Sequence, residues 1–265
     1  MSQPITSTQN QRVKDLVRLR ERRERDGSGL FLIEGYRELT RALEAGVVFI
    51  DLYVCPPLYL GSNEPALIDA VTSAGVPLTE LGEAAFRKVS YRDRPEGLLG
   101  VARQSPTTLD RLPQTLTPLI LVVESIEKPG NLGTMLRTAD AAGVSAVVVC
   151  DPTTDPYNPN VVRASLGTLF TVPLAIATTS DTIEWLAGRG IRSVATIPGS
   201  RLAIWDADLT GALALVVGSE QYGLSPTWRR QADLEVGLPM AGSADSLNAA
   251  MAAGIALFEA VRQRR

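Results

Sequence analysis

Three stretches in the second half of the chain carry residues that packing alone does not require. They are ESIEKPGNLGTMLRTADAAG around Asn131 and Arg137, VVGSEQYGLS around Gly218 and Glu220, and SLNAAMAAGIALFEAVRQR, which opens on Ser246, Leu247 and Asn248. In open α/β sheets ligands collect beyond the carboxyl ends of the strands; a glycine there, such as Gly218, lets a ligand approach the backbone. A carboxylate at the same place, Glu220, could orient an arginine or accept a proton. Ser246 and Asn248 fall in the first turn of a helix-forming run, where unpaired N–H groups and the positive end of the macrodipole favour anionic or oxygen-rich ligands. Structural duties also fit: Asn131 as a helix cap after the Pro129-Gly130 turn, Arg137 as a surface ion-pair partner, Glu220 as a cap or first-turn acid. Asp245 or Ser243 is the expected cap of the last helix. Its apolar stripe of Leu247, Met251, Gly254, Ile255, Phe258 and Val261, flanked by thin alanine faces, suits close packing against another helix.

Composition removes several chemistries. The chain has no histidine, so Ser-His-Asp and Cys-His nucleophile pairs, His-ligated metals and imidazole acid–base catalysis are excluded. Cys55 and Cys150 stand far apart without neighbouring ligand residues, which suggests neither a disulfide framework nor a metal site. No apolar run approaches the ~20 residues needed to span a bilayer, and the N-terminus lacks the apolar core of a signal peptide, so a cytoplasmic protein is expected. Net charge is −3, yet residues 12–25 hold seven basic against three acidic side chains. Arg12, Lys14, Arg18, Arg22 and Arg23 are candidates for phosphate contact. A solvated helix laced with opposite charges would show the same pattern.

These residues need elements to hold them. At 265 residues, 45% hydrophobic and 21% charged, the chain reads as two ordinary globular domains. Residues 10–25 show helical periodicity, LFLIEG reads as a strand, YRELTRALEAG as a helix stopped by Gly46, and VVFIDLYVC as a strand. A helix near 64–74, a strand near 76–79, a short helix near 82–89 and a strand near 98–102 complete an α/β unit over residues 1–103. RQSPTTLDRLPQTLTP, with Pro106, Pro113 and Pro118, predicts a linker over 104–118. From Leu119 to Arg265 the strand candidates LILVV, SAVVVC, VPLAIA, IRSVAT, ALALVVG and ADLEVGL alternate with helical or loop segments, the signature of a parallel sheet covered on both faces.

Taken together, NLGTMLRTADAAG, VVGSEQYGLS and LPMAGSADSLNAAMAAGIALFEAVRQR resemble, in order and spacing, the three motifs of the SpoU/TrmH family of RNA 2′-O-methyltransferases (the SPOUT superfamily). The likeness covers about residues 119–265. The stretch TSTQNQRVKDLVRLRERRERDGSGLFLIEGYRELTRAL resembles the substrate-binding domain of the ribosomal-RNA members. The resemblance implies a sheet whose C-terminal part is threaded into a deep trefoil knot, a rare exception to unknotted topology. It implies S-adenosyl-L-methionine held by loops around Thr196, from Gly218, and from Leu238 and Met240 through Leu247. Arg137 would then be a fixed cation beside the reacting ribose oxygen, oriented by Glu220 or a phosphate. Asn131, Ser246 and Asn248 would hold ribose, phosphate and the motif loops. A homodimer through the C-terminal helix, with sites completed across the interface, is also implied. The expected substrate is 23S ribosomal RNA, with transfer RNA and a non-catalytic RNA-binding role as alternatives. A nucleotide-dependent enzyme of the doubly wound class lacks its fingerprint G-x-G-x-x-G. Ala249, Ala250 and Gln221 depart from the residues frequent in the family, which touches packing more than chemistry.

Overall fold

A computed structural model of the chain describes residues 3–105 and 108–265; Pro106 of the expected linker lies outside the described residues. The first elements are α1 (Gln11–Arg18), α2 (Arg22–Ser28), β1 (Leu30–Glu34), α3 (Tyr36–Glu44), β2 (Phe49–Val54), α4 (Glu64–Ser73), β3 (Leu78–Glu80), α5 (Glu83–Val89) and β4 (Leu98–Arg103). Then come β5 (Leu119–Glu124), α6 (Pro129–Ala142), β6 (Ala146–Cys150), α7 (Pro159–Ser165), β7 (Leu174–Ala177), α8 (Thr179–Ala187), β8 (Arg192–Thr196), β9 (Leu213–Val217), α9 (Pro226–Gln231), β10 (Leu234–Val236) and α10 (Ala249–Gln263). They form two compact units: one holds the chain up to Ser105 together with Asp155–Thr171, the other the segment ending at Thr154 together with Val172–Arg265.

In the first unit the sheet order is β1-β4-β2-β3, with β4 antiparallel to β1 and β2, and β3 parallel to β2. Val13 and Leu16 of α1 and Phe86 of α5 pack with Leu32 and Leu99 of the sheet, so the helical periodicity read from residue 10 onward marks a core face. Residues 10–25 are two helices rather than one. Arg25 explains the break: it is buried, and its Nη1 donates to the carbonyls of Leu19 (3.0 Å) and Arg20 (2.6 Å), groups that the end of α1 would otherwise leave unpaired. Its Nε and Nη2 both lie 2.7 Å from Asp155 Oδ2. Arg12, Lys14, Arg18, Arg22 and Arg23 are exposed. Arg18 and Arg22 form exposed pairs with Asp15 and Asp26, as a solvated helix would, and Arg12 donates to Thr79.

Asp155–Thr171 falls inside the stretch expected as the second domain, yet it belongs to the first unit. Aromatic packing and one ion pair give the reason. Tyr157 lies 4.7 Å and Phe170 5.9 Å from the Phe31 ring, centroid to centroid, and Arg41 donates to the Leu166 carbonyl. Removing one partner of a buried pair strands a charge, so Arg25→Ala is expected to lower stability by about 3–5 kcal/mol. Denaturant midpoints check this; a loss below about 1 kcal/mol, the worth of a surface pair, would show that the contact is not structural.

The second unit has a six-stranded, wholly parallel sheet in the order β10-β8-β9-β5-β6-β7. Every residue of β5, β6 and β9 is buried, which is why these strands are nearly continuous apolar runs. Leu112, within the stretch expected as a linker, is buried in this core with Leu109 beside it. The chain runs outward from β5 to β7, returns to β8 on the far side, then inserts β9 between β8 and β5. Strand ends β8, β9 and β10 are thereby neighbours. α10 packs on α6 and β9, chiefly by small residues. Its buried side is Ala249, Ala250, Ala253, Ala256, Leu257 and Ala260, whereas Met251 and Phe258 are 59% and 49% exposed. Of the expected packing stripe, Met251 and Phe258 therefore face outward while Gly254, Ile255 and Val261 are half-buried, because alanines permit the closer approach to α6. A Cβ on Gly254 would lie 3.4 Å from Thr138 Cγ2. Among the described residues no helix is long and apolar enough to cross a membrane.

Candidate active site

Loops leaving the carboxyl ends of β8, β9 and β10 surround a cleft of about 290 Å³. Thr196, Ile197 and Pro198 come from the first loop, residues 217–223 from the second, and Leu238 and Met240 from the third; Asp245, Ser246, Leu247, Ala249, Ala252 and Arg229 complete it. All five residues expected to hold a cofactor, Thr196, Gly218, Leu238, Met240 and Leu247, line this one cleft. The Thr196 hydroxyl is committed elsewhere, donating to the Val216 carbonyl at 2.9 Å and tying β8 to β9. What this loop offers a ligand is backbone and the apolar surface of Ile197 and Pro198.

The β9 loop is a tight turn. Ser219 and Gly223 exchange backbone hydrogen bonds of 3.1 and 3.0 Å, and the Tyr222 amide donates to Ser219 Oγ. Gly223 has φ +66°, the left-handed region where glycine carries no penalty. Gly218 is required for a reason other than ligand access: a Cβ there would stand 2.2 Å from the Gly223 carbonyl carbon and 2.4 Å from the Leu224 nitrogen. The turn folds back onto Gly218, and so holds Glu220 at the cleft.

Three residues from distant parts of the sequence meet at that carboxylate. Asn131 Nδ2 donates to Glu220 Oε1, and Asn248 Nδ2 donates to Asn131 Oδ1 at 3.2 Å. Asn248 is also the cap of α10, its Oδ1 accepting from the Ala250 and Met251 amides at 3.0 and 3.3 Å. That corrects two expectations. Neither Asp245 nor Ser243 caps the helix, and Ser246 precedes the helix instead of lying in its first turn. Asn131 is likewise no cap: α6 begins at Pro129 after Lys128, with Asn131 inside the first turn and its side chain turned to Glu220. Glu220 Oε2 is buried without a hydrogen-bond partner among the described residues, which leaves an acceptor open to a donor from a ligand.

Arg137 is not part of this group within one chain. It lies six residues beyond Asn131 on α6, about 9 Å along the axis and roughly 120° around it, is exposed, and makes no ion pair among the described residues. Nor does it line the cleft. Among the described residues no cluster of three or more acidic or cysteine side chains could hold a metal ion. Sequence reasoning missed Ile197, Pro198, Tyr222, Arg229 and Ala252. The first two follow directly from the end of β8 and were within its reach, whereas Arg229 reaches the cleft from α9, which no local pattern indicates.

Comparison with known proteins agrees with this geometry. Residues 118–258 match the SpoU rRNA methylase family and residues 10–100 the MRM3-like substrate-binding domain. The chain is 30% identical over 254 residues to the 23S rRNA (guanosine(2553)-2′-O)-methyltransferase RlmP of Bacillus subtilis, covering 96% of this chain and 97% of that protein. It is 34% identical over 262 residues to the 23S rRNA (uridine(2479)-2′-O)-methyltransferase of Streptomyces viridochromogenes, covering 93% and 87%. The solved structure of an AdoMet-bound rRNA methyltransferase from Sinorhizobium meliloti superimposes with TM-score 0.89 at 33% identity, covering 98% of this chain and 97% of the other. The cleft, the turn that closes on Gly218 and the whole-length likeness thus lead to one conclusion: this chain belongs to the SpoU rRNA methylase family, with a substrate-binding domain of the MRM3-like kind before the methylase domain.

Proposed function

We propose that the protein transfers a methyl group from S-adenosylmethionine to a ribose 2′-hydroxyl of large-subunit ribosomal RNA in the cytoplasm. The observation that carries this is Glu220 at a cleft formed by three consecutive strand ends, held from behind by Asn131, which Asn248 holds in turn; the two asparagines do not line the cleft themselves. The cleft fits the cofactor. It combines apolar walls (Ile197, Leu238, Met240, Leu247) with the backbone of the Gly218 turn, and it includes Glu220, whose buried oxygen lacks a donor. When bound, the sulfonium supplies an activated methyl group, and the protein's task is to place the ribose oxygen in line with it. Ser246 and the two asparagines supply hydrogen-bonding groups for ribose or phosphate. Arg137 stabilises the charge that develops as the 2′-oxygen loses its proton. The match of residues 10–100 to a substrate-binding domain supports ribosomal RNA as the target and gives the exposed Arg12, Lys14, Arg18, Arg22 and Arg23 a role in phosphate contact. The position of β9 between β8 and β5 supports the threading of the C-terminal segment as a trefoil knot.

The site is completed in a homodimer. Met251 and Phe258, seven residues apart and on one side of α10, leave an apolar face exposed, and α10 packs on α6, the helix that bears Arg137. A two-fold partner docked on that face brings Arg137 to a cleft that it does not reach in its own chain. The test is transfer of tritiated methyl from S-adenosylmethionine to unmethylated ribosomal RNA, with mass measured by light scattering. Label on a ribose 2′-oxygen and a dimeric mass are expected. RNA binding without label on any RNA rejects the enzymatic reading, and a monomeric mass at working concentration rejects the shared site.

A further inference from the structure

The rim of the cleft carries two side chains that the cofactor reading does not use. Tyr222 is 75% exposed, although its backbone is fixed within the Ser219–Gly223 turn by three hydrogen bonds. A lone exposed tyrosine is ordinary. This one borders the cleft together with Arg229, whose Nη2 lies 3.9 Å from where a Cβ on Gly223 would stand, beside the same turn. Arg229 is exposed and makes no ion pair or side-chain hydrogen bond among the described residues. An aromatic side chain on a fixed backbone, bordering the same cleft as an uncompensated guanidinium, matches the two parts of a nucleotide. The ring stacks on the base, and the guanidinium takes the adjoining phosphate.

We propose that Tyr222 and Arg229 form a rest for the nucleotide being methylated, the base lying on the Tyr222 ring and a flanking phosphate on Arg229. The proposal rests on the RNA-methylation reading and extends it to the target nucleotide. Glu220 and Tyr222 stand two residues apart on one turn, so the element that presents the carboxylate inside the cleft also presents the ring at its mouth. Gripping the base fixes the sugar attached to it, which is the orientation that transfer to a 2′-oxygen needs. Stacking accepts any base, in keeping with relatives named for guanosine in one case and uridine in another. The rest therefore contributes hold on the nucleotide, and the choice of position is left to other contacts.

The full-length wild type is compared with Tyr222→Phe, Tyr222→Ala and Arg229→Gln. Calorimetry measures S-adenosylmethionine affinity without RNA, and methyl transfer to unmethylated 23S rRNA, free and in 50S particles, gives KM and kcat. Tyr222→Ala is expected to raise KM for RNA about tenfold, within the range of one base–aromatic stack, while Tyr222→Phe stays near wild type. Arg229→Gln should raise KM and make the salt dependence shallower by about one phosphate contact. Cofactor affinity should stay within about twofold in all three. Loss of cofactor affinity in Tyr222→Ala with KM unchanged would make the ring a cover for the cofactor and overturn the proposal. So would a Phe variant as impaired as the Ala variant, or no effect from any variant. Failure of the wild type itself to methylate rRNA is a separate result, which rejects the reading beneath it.

Discussion

Arg137→Ala is expected to keep S-adenosylmethionine affinity and lose about 10²–10³-fold in turnover, the usual effect of removing one charge-stabilising donor from an acyl- or alkoxide-type site. The expectation follows from position. Arg137 lies on the exposed side of α6, outside the residues that line the cleft and outside the Asn131–Glu220–Asn248 group, so no contact to a cofactor bound in its own chain disappears with it. Among the described residues its exposed side chain makes no ion pair or hydrogen bond, and the unfolding midpoint should barely move. Arg137→Lys separates charge from geometry, since an ammonium lacks the planar fork of a guanidinium and should recover only part of the rate. Calorimetry and single-turnover transfer measure the two quantities independently. Weakened cofactor binding with unchanged turnover at saturation would remove Arg137 from the reacting oxygen.

Gly218→Ala should have the opposite signature: cofactor affinity falls at least about tenfold, or 1.4 kcal/mol, and turnover falls with it. The new methyl carbon would meet backbone atoms of Gly223 and Leu224 at 2.2–2.4 Å, and backbone cannot rotate away as a flexible side chain can. Either the Ser219–Gly223 turn opens or β9 shifts, at a cost of about 1–3 kcal/mol. Opening the turn displaces Glu220 and frees Asn131, so the structural defect is read at the cleft proposed for the cofactor. A variant that binds S-adenosylmethionine as tightly as wild type would show that the cofactor does not depend on this turn. The two variants also test the shared site together. If Arg137 serves its partner's cleft, co-expressed Arg137→Ala and Gly218→Ala chains form mixed dimers with one intact site and regain activity that neither has alone.

Residue patterns carried the elements well and their ends poorly. Strands β5, β6 and β9 announced themselves because burial on both faces demands an unbroken apolar run. Caps were harder, because an asparagine near a helix start has the same local appearance whether it serves the helix or another residue. Asn131 bonds to Glu220, 89 positions away, and to Asn248, 117 positions away, and no local window contains those partners. The inward face of the last helix was illegible for a related reason: its periodicity marked two faces, alanine-rich and bulky, without stating which faced inward. Likewise, proline density indicated where the chain leaves regular structure near 104–118, yet it could not show that Asp155–Thr171 packs with the first unit through Arg25 and Phe31.

What the sequence alone determined was the set of chemical groups and the segments that carry them: a histidine-free α/β chain with the family's three motifs, and with Asn131, Arg137, Glu220, Ser246 and Asn248 at their centres. These are local facts, fixed by residue type and spacing. The tertiary structure decided which groups meet. Inserting β9 between β8 and β5 makes three strand ends neighbours, and closing the turn on Gly218 leaves one carboxylate oxygen buried and unpaired beside them. It also left Arg137 outside the cleft of its own chain and turned Met251 and Phe258 outward. Such pairings depend on chain crossovers and on competition between helix faces for the same core, and neither is written in any short stretch of residues.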